Sequence, residues 1–426
     1  MVKTRLVIAL WCLPLYLAAQ KPLEDALSRL TSAASPRDEE RIIREVVRLK
    51  PSFEELMALI RRGPQSTSVR RGFFTRSQNN PLLPPACLVF VPYDYSPAKS
   101  YPVRIFMHGA VSNNDPDFVF RGVDTTQSAY RTSQVIQLFP AGWSLAPWWS
   151  ETQLNNIHAL LKFLKQTYQV DDNDVRLAGV SDGGIGSFYM ANADITPWSA
   201  ITPFIGSLEA LQRIHVKPVY MNNLSGRPFL IINGGKDKIF RKEMQLPYFE
   251  LLKSVNRRAR TIMIDSTGHS MSWYPVLRDT IQQFYLSHRR EPFPDTLTWQ
   301  TESEEQFNRC HYVVIRRLKQ EPDAGPDVNQ LPGVDKRAAF FRNPITGYVQ
   351  VIHDGNSYRI RTHGVSRLSL LIGVDEIDWN KPVMIELNGT RRQVQVQQDI
   401  KTLLSWFVRD HDRQMLFGAE LDLAVR

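Results

Sequence analysis

The chain has 426 residues, 43% of them hydrophobic and 22% charged. That is a globular composition, long enough for two or three domains and a sizeable core. The net charge of +9 is carried by scattered pairs such as Arg61-Arg62, Arg257-Arg258, Arg289-Arg290 and Arg316-Arg317; they read as solvated faces, and no recognition motif beside them argues for a nucleic-acid partner. Weak attraction to anionic polymers or a membrane surface stays open.

Lys3 and Arg5 precede an apolar run from Leu6 to Leu17, and Ala18-Ala19-Gln20 offers small residues for cleavage. Residues 1–19 are therefore expected to be a signal peptide, with a periplasmic or secreted mature chain and no integral membrane span after cleavage. An uncleaved anchor is the alternative. Two of the three cysteines, Cys87 and Cys310, would remain, either paired or as two buried thiols.

Residues 20–66 read as a helical lead-in that packs on the catalytic domain. One helix is expected from Pro36 to Leu49 with Ser35 as its cap. A second opens at the capping box Ser52 to Glu55 and stops at Gly63-Pro64. Residues 67–290 alternate nearly all-apolar strands with helical spacings. The strands are Cys87 to Val91, Val103 to Met107, Val135 to Phe139, the run into Ala178, Ala200 to Ile205, Phe229 to Ile232 and Thr261 to Ile264; the helices cover Leu154 to Tyr168, Tyr248 to Val255 and Val276 to Leu286. This pattern predicts a doubly wound, mostly parallel α/β sheet covered on both faces. Residues 291–426 shift to short alternating runs and predict a β-rich accessory domain. Within it, strands are expected at Thr296 to Trp299, His311 to Arg317 and Glu420 to Val425, a helix at Ile400 to Val408, and a hairpin turn at Asn388-Gly389-Thr390.

The most informative stretch is Gly179-Val180-Ser181-Asp182-Gly183, a G-x-S-x-G segment between an apolar strand and a helix start. A serine on so tight a turn has strained backbone, and glycines two residues away on each side avoid a clash. Parallel α/β sheets place their sites beyond the carboxyl ends of the strands. Ser181 lies at such an end; so do Asp237, after the strand Phe229 to Ile232, and His269, after Thr261 to Ile264. The trio supplies a nucleophile, a base that accepts its proton near neutral pH, and an acid that orients the base. Asp265 is the rival acid, whereas Asp171, Asp172 and Asp174 precede the elbow strand and belong to the opposite rim. His108-Gly109-Ala110 follows a strand expected beside the elbow. One oxyanion N–H is assigned to Gly109 or Ala110 and one to Asp182, whose carboxylate is expected to point away; His108 would hold the loop without transferring protons. Trp143, Trp148 and Trp149 are candidate substrate-binding residues. No Cys/His cluster has metal-ligand spacing and no His-Glu-x-x-His pair occurs, so neither metal nor cofactor is expected.

These residues resemble the α/β-hydrolase superfamily. More narrowly, Tyr101-Pro102, His108-Gly109, Gly179 to Gly184, Gly234-Gly235-Lys236-Asp237 and Gly268-His269-Ser270 with Trp273-Tyr274 resemble secreted esterases grouped with polyhydroxybutyrate depolymerases, feruloyl and acetyl esterases, and the catalytic domains of prolyl oligopeptidases. The resemblance spans residues 85–290 and implies cofactor-free hydrolysis of carboxylic esters through an acyl-enzyme. The substrate could be a small-molecule ester, a lipid ester, a polyester fragment or an ester on a polysaccharide. Ala110 departs from the second glycine usual after His-Gly, and the Ser207 to Leu224 stretch is short for a lid. A serine peptidase acting on short peptides and a non-catalytic binding protein with a vestigial hydrolase domain are the alternatives. The sequence leaves the oligomeric state open.

Overall fold

A computed structural model of the protein describes residues 21–76, 87–113, 120, 122–214, 219–319 and 346–425. The leader and the Pro/Asp/Gly-rich loop from Glu321 to Val334 lie outside them. Three helices come first: α1 (21–31), α2 (Pro36–Leu49) and α3 (Phe53–Arg62). Both expected caps form, with Ser35 Oγ accepting from the Asp38 N–H and Ser52 Oγ from the Glu55 N–H. Each satisfies an otherwise orphaned N-terminal donor. The left-handed backbone of Gly63 ends α3.

An eight-stranded sheet forms the next layer. Its strands are β1 (Gly72–Arg76), β2 (Cys87–Val91), β3 (Tyr101–Met107), β4 (Ile136–Pro140), β5 (Val170–Val180), β6 (Ala200–Phe204), β7 (Phe229–Gly234) and β8 (Ala259–Ile264). Their spatial order is β1-β2-β4-β3-β5-β6-β7-β8. β1 and β2 pair antiparallel, as do β2 and β4; every pairing from β4 to β8 is parallel. Strands β2, β4, β6 and β7 are buried at every residue, the physical consequence of apolar runs covered on both faces. The cover comes from α4 (Glu151–Thr167), α5 (Asp182–Ala193), α6 (Leu208–Ile214), α7 (Lys242–Val255) and α8 (Tyr274–Leu286). Helix α5 is buried from Gly183 to Ala193, which fits its lack of a polar face. Helix α6 fills part of the short Ser207 to Leu224 stretch and was not foreseen.

The C-terminal part holds β9 (Thr296–Thr301), β10 (Arg309–Cys310), β11 (Val313–Leu318), β12 (Gly347–Asp354), β13 (Ser357–His363), β14 (Val365–Gly373), β15 (Val383–Leu387), β16 (Thr390–Val394), α9 (Ile400–Asp410) and β17 (Phe417–Ala424). They make a four-stranded sheet, β10-β11-β14-β17, and a five-stranded sheet, β16-β15-β13-β12-β9. The Asn388-Gly389 hairpin forms: both residues have positive φ (49° and 86°) between antiparallel β15 and β16, as a two-residue turn that follows the strand twist demands. β11 starts two residues later than expected, because His311 is drawn into a left-handed backbone (φ 51°) and its ring is buried against Arg227.

The apolar faces of the N-terminal helices meet α9 rather than the eight-stranded layer. Ile42, Ile43, Val46, Leu56 and Ile60 share one cluster with Leu403, Leu404, Phe407 and Val408. Toward the eight-stranded layer the bonds are polar: Gln169 Nε2 donates to the Arg62 and Pro64 carbonyls at 2.7 and 2.9 Å. The eight-stranded and C-terminal layers share a continuous core, in which Ile105, Leu177 and Phe229 belong to the same cluster as Trp299, Val313 and Leu370. Cys87 and Cys310 are buried free thiols; burial pushes the Cys310 thiol up to about 12. Among the described residues no helix is long and apolar enough to cross a membrane.

Candidate active site

Ser181 sits between β5 and α5 with φ 55° and ψ −115°, a conformation L-residues rarely adopt. Its N–H bonds the Phe204 carbonyl at 3.0 Å, and its carbonyl accepts the Ile185 N–H at 3.0 Å. The flanking glycines are forced by space. A Cβ on Gly179 would lie 2.0 Å from the Gly183 carbonyl oxygen, and one on Gly183 would lie 2.0 Å from the Met107 oxygen. Without them, α5 could not approach β3 and β5 closely enough to close the turn.

Two more loops meet Ser181 at the same sheet edge. Gly234 and Gly235, at and just past the end of β7, pack on the loop after β8; a Cβ on Gly234 would lie 2.3 Å from the Gly268 oxygen. The Gly235 and Lys236 N–H groups donate to Ile264 and Thr267 carbonyls, each at 2.8 Å. This splint sets Asp237 beside His269. The Ser181 hydroxyl donates to His269 Nε2 at 2.8 Å, and His269 Nδ1 donates to Asp237 Oδ2 at 2.7 Å. Asp237's other oxygen accepts the Ile239 and Phe240 N–H groups at 2.8 and 2.9 Å. Its side chain has no solvent exposure, against 19% for His269. The Phe240 ring meets the His269 ring edge-on, centroids 5.2 Å apart. The rival Asp265 is turned outward and pairs with Lys242 at 2.9 Å.

The loop after β3 completes the rim. A Cβ on Gly109 would come within 3.0 Å of the Ser181 Cβ, so a larger residue there would crowd Ser181. Ala110 takes a left-handed backbone, φ 57°. The Asp182 carboxylate turns away from the serine and accepts the Val111 N–H at 2.9 Å, pinning this loop to the start of α5. His108 Nε2 accepts the Gly142 N–H at 3.0 Å, so Nδ1 carries the proton and donates to the Gly109 carbonyl at 2.6 Å. Burial holds the His108 pKa below its usual value, which favours the neutral ring, and its two hydrogen bonds fix the tautomer. The Asp182 N–H lies at the first position of α5, where no turn precedes it to supply an intrahelical acceptor. An N–H at that place is available to an oxyanion.

The three tryptophans are buried or half-buried. Trp148 is fully buried and donates from Nε1 to the His108 carbonyl at 2.8 Å; Trp143 is buried at a short β-bridge with Ala146; Trp149 is half-buried against the core. Trp148 is therefore a prop for the His108 loop, a role with no signal in sequence because it acts across forty residues. The Asp237 turn did have one: an aspartate opening a loop captures N–H groups two and three residues on. A cavity of about 410 Å³ lies elsewhere, between α4 and the segments 305–309 and 409–415. Much of its lining is already paired, Arg290 with Asp412 and Arg309 with Asp410, both at 2.6 Å.

No family model matches the chain, and no curated protein does. Among solved structures it is similar to a thermostable esterase at 17% identity and TM-score 0.42, covering 51% of this chain and 63% of that one. The chain thus spans less than two thirds of that esterase. It is also similar to Thermogutta terrifontis esterase 2 (13% identity, 52% and 97% covered, TM-score 0.40) and to esterase PE8 (19%, 44% and 93%, 0.33). The strand order, with its antiparallel start and its serine turn after the central β5, gives the chain the α/β-hydrolase fold.

Proposed function

We propose that the protein is a serine hydrolase of carboxylic esters. The observation that carries this reading is the unbroken relay from Ser181 Oγ through His269 to buried Asp237. In the proposed cycle, Ser181 attacks the ester carbonyl while His269 Nε2 takes its proton. Asp237 holds the ring in the required tautomer and stabilises the imidazolium. The Asp182 N–H and that of Gly109 or Ala110 receive the oxyanion, each such donor being worth about 3 kcal/mol in the transition state. His269 then protonates the departing alcohol, leaving an acyl-serine. It next activates a water whose attack releases the acid and restores the hydroxyl. Purified protein is expected to cleave a short-chain chromogenic ester and to label with a fluorophosphonate. Ser181→Ala is expected to lose both while keeping its circular dichroism; a variant as active as the parent would remove the assignment. Comparison of matched ester and amide substrates separates this reading from a peptidase.

Export belongs to the same proposal. Its support is Lys3 and Arg5 ahead of the Leu6 to Leu17 run. N-terminal sequencing of protein recovered from the cell exterior or periplasm is expected to begin near Gln20; recovery only from the cytoplasm with residue 1 intact would count against it.

A further inference from the structure

Among the described residues, the three most exposed large apolar side chains are Leu145 (90%), Val276 (82%) and Ile239 (65%). All three leave the sheet edge that carries Ser181. Leu145 follows β4, Ile239 lies two residues after Asp237, and Val276 lies seven residues after His269, in the first turn of α8. β4 and the β7–β8 pair lie on opposite sides of β5 in the sheet, so the three side chains flank the serine from both sides.

None of the three owes its exposure to a loose backbone. Leu145 is at the tip of a turn closed by two Trp143–Ala146 backbone bonds, 2.9 and 3.3 Å. The Ile239 N–H is held by Asp237, and the Val276 N–H bonds the Trp273 carbonyl at 3.1 Å. Rigid aliphatic side chains held in water are unfavourable unless something apolar covers them. The charge beside them selects what that is. Lys236, Lys238 and Arg241 are exposed with no acid partner among the described residues, while Lys242 is neutralised by Asp265 and Arg278 by Asp279. Glu243, two residues after Arg241, is an exposed acid close to this cationic run in sequence.

We propose that the rim around Ser181 is a docking face for an anionic lipid surface, the three aliphatic side chains entering the headgroup boundary and the unpaired cations meeting the headgroups. This rests on the ester-hydrolase reading and narrows its substrate to esters presented by such a surface. Among the described residues, neither the 410 Å³ cavity, whose lining carries paired charges such as Arg290–Asp412 and Arg309–Asp410, nor the helix face around α9 shows a comparable grouping of exposed apolar side chains.

The test is sedimentation of the full mature chain with phosphatidylglycerol–phosphatidylcholine vesicles and with phosphatidylcholine vesicles alone, alongside hydrolysis of a soluble short-chain ester. The wild type is expected to pellet with the anionic vesicles, to be released by salt, and to stay in solution with the neutral ones. Leu145→Ser/Val276→Ser and Lys238→Gln/Arg241→Gln are each expected to lower partitioning about tenfold while leaving soluble-ester turnover within about twofold. A wild type that stays in solution with anionic vesicles, or variants that pellet like it, would overturn the proposal. So would loss of a self-associated species in Leu145→Ser/Val276→Ser without any vesicle dependence, which would make the face a contact between copies. Ser181→Ala is expected to pellet like the wild type. Pelleting without ester hydrolysis would sink the catalytic reading and leave the docking face standing; hydrolysis without pelleting would do the reverse.

Discussion

At the scale of single residues, the candidate site depends on groups that cannot be exchanged for close relatives. Asp237 accepts three hydrogen bonds, one from His269 and two from backbone. Asp237→Asn preserves the shape but offers an N–H where His269 needs an acceptor, so the ring turns to the wrong tautomer. We expect kcat on a chromogenic ester to fall by about 10⁴, with unchanged thermal unfolding; a loss under tenfold would remove Asp237 from the relay. Asp182 works differently, because its side chain holds the Val111 N–H and its backbone faces the serine. Asp182→Ala frees the loop carrying Gly109 and Ala110 without touching the relay. Fluorophosphonate labelling should therefore persist but slow by roughly ten- to a hundredfold. A rate equal to the wild type would mean that the loop is held by other contacts.

At the scale of elements, the end of α9 carries a pH dependence. His411 caps the helix in a left-handed backbone, φ 45° and ψ 31°. Burial, with Lys162 and Lys165 nearby, lowers its pKa from 6.5 to about 3. Between those values the unfolded chain binds a proton that the folded chain refuses, so stability falls as pH drops below 6.5, by up to about 1.4 kcal/mol per unit. His311 acts in the same sense, because burial and the Arg227 charge hold it well below 6.5. His411→Asn retains a residue that tolerates left-handed backbone and removes the titration. Its melting temperature should decline less than that of the wild type between about pH 7 and pH 5. An unchanged slope would place the acid sensitivity elsewhere.

At the scale of the molecule, the C-terminal part is locked to the catalytic layer. Arg290 spans Asp412 at 2.6 and 3.0 Å, Lys165 Nζ reaches Asp412 at 3.5 Å, and the Arg413 N–H reaches Asp172 at 3.0 Å. All of these side chains are buried. Arg227 is buried with no carboxylate partner among the described residues; burial lowers its pKa to about 9, and it is satisfied by His311 Nε2 at 2.7 Å together with backbone carbonyls. Buried charges that lose one partner are costly, about 3 kcal/mol or more. Asp412→Asn is expected to lower stability by about that amount in urea unfolding. A chain ending at Arg290 is expected to be insoluble, since it would strip the shared core as well as these partners. A soluble, active truncation would show that the two parts fold independently.

The sequence alone determined the strand-to-helix turn at Ser181, the rim positions of Asp237 and His269, the helix caps at Ser35 and Ser52 and the Asn388-Gly389 turn. Each rests on local chemistry: a glycine that a close backbone approach demands, a capping hydroxyl, a strand end. The opposite-rim aspartates could be excluded from the relay by the same logic, but the use of Asp172 as the partner of Arg413 across the layers could not be read. Only the tertiary structure decided that the N-terminal helices cover α9, that Trp148 props the His108 loop, and that His311 leaves its strand for Arg227. Those choices depend on which surfaces meet across long stretches of chain, and no periodicity or short motif records the partner of a buried face.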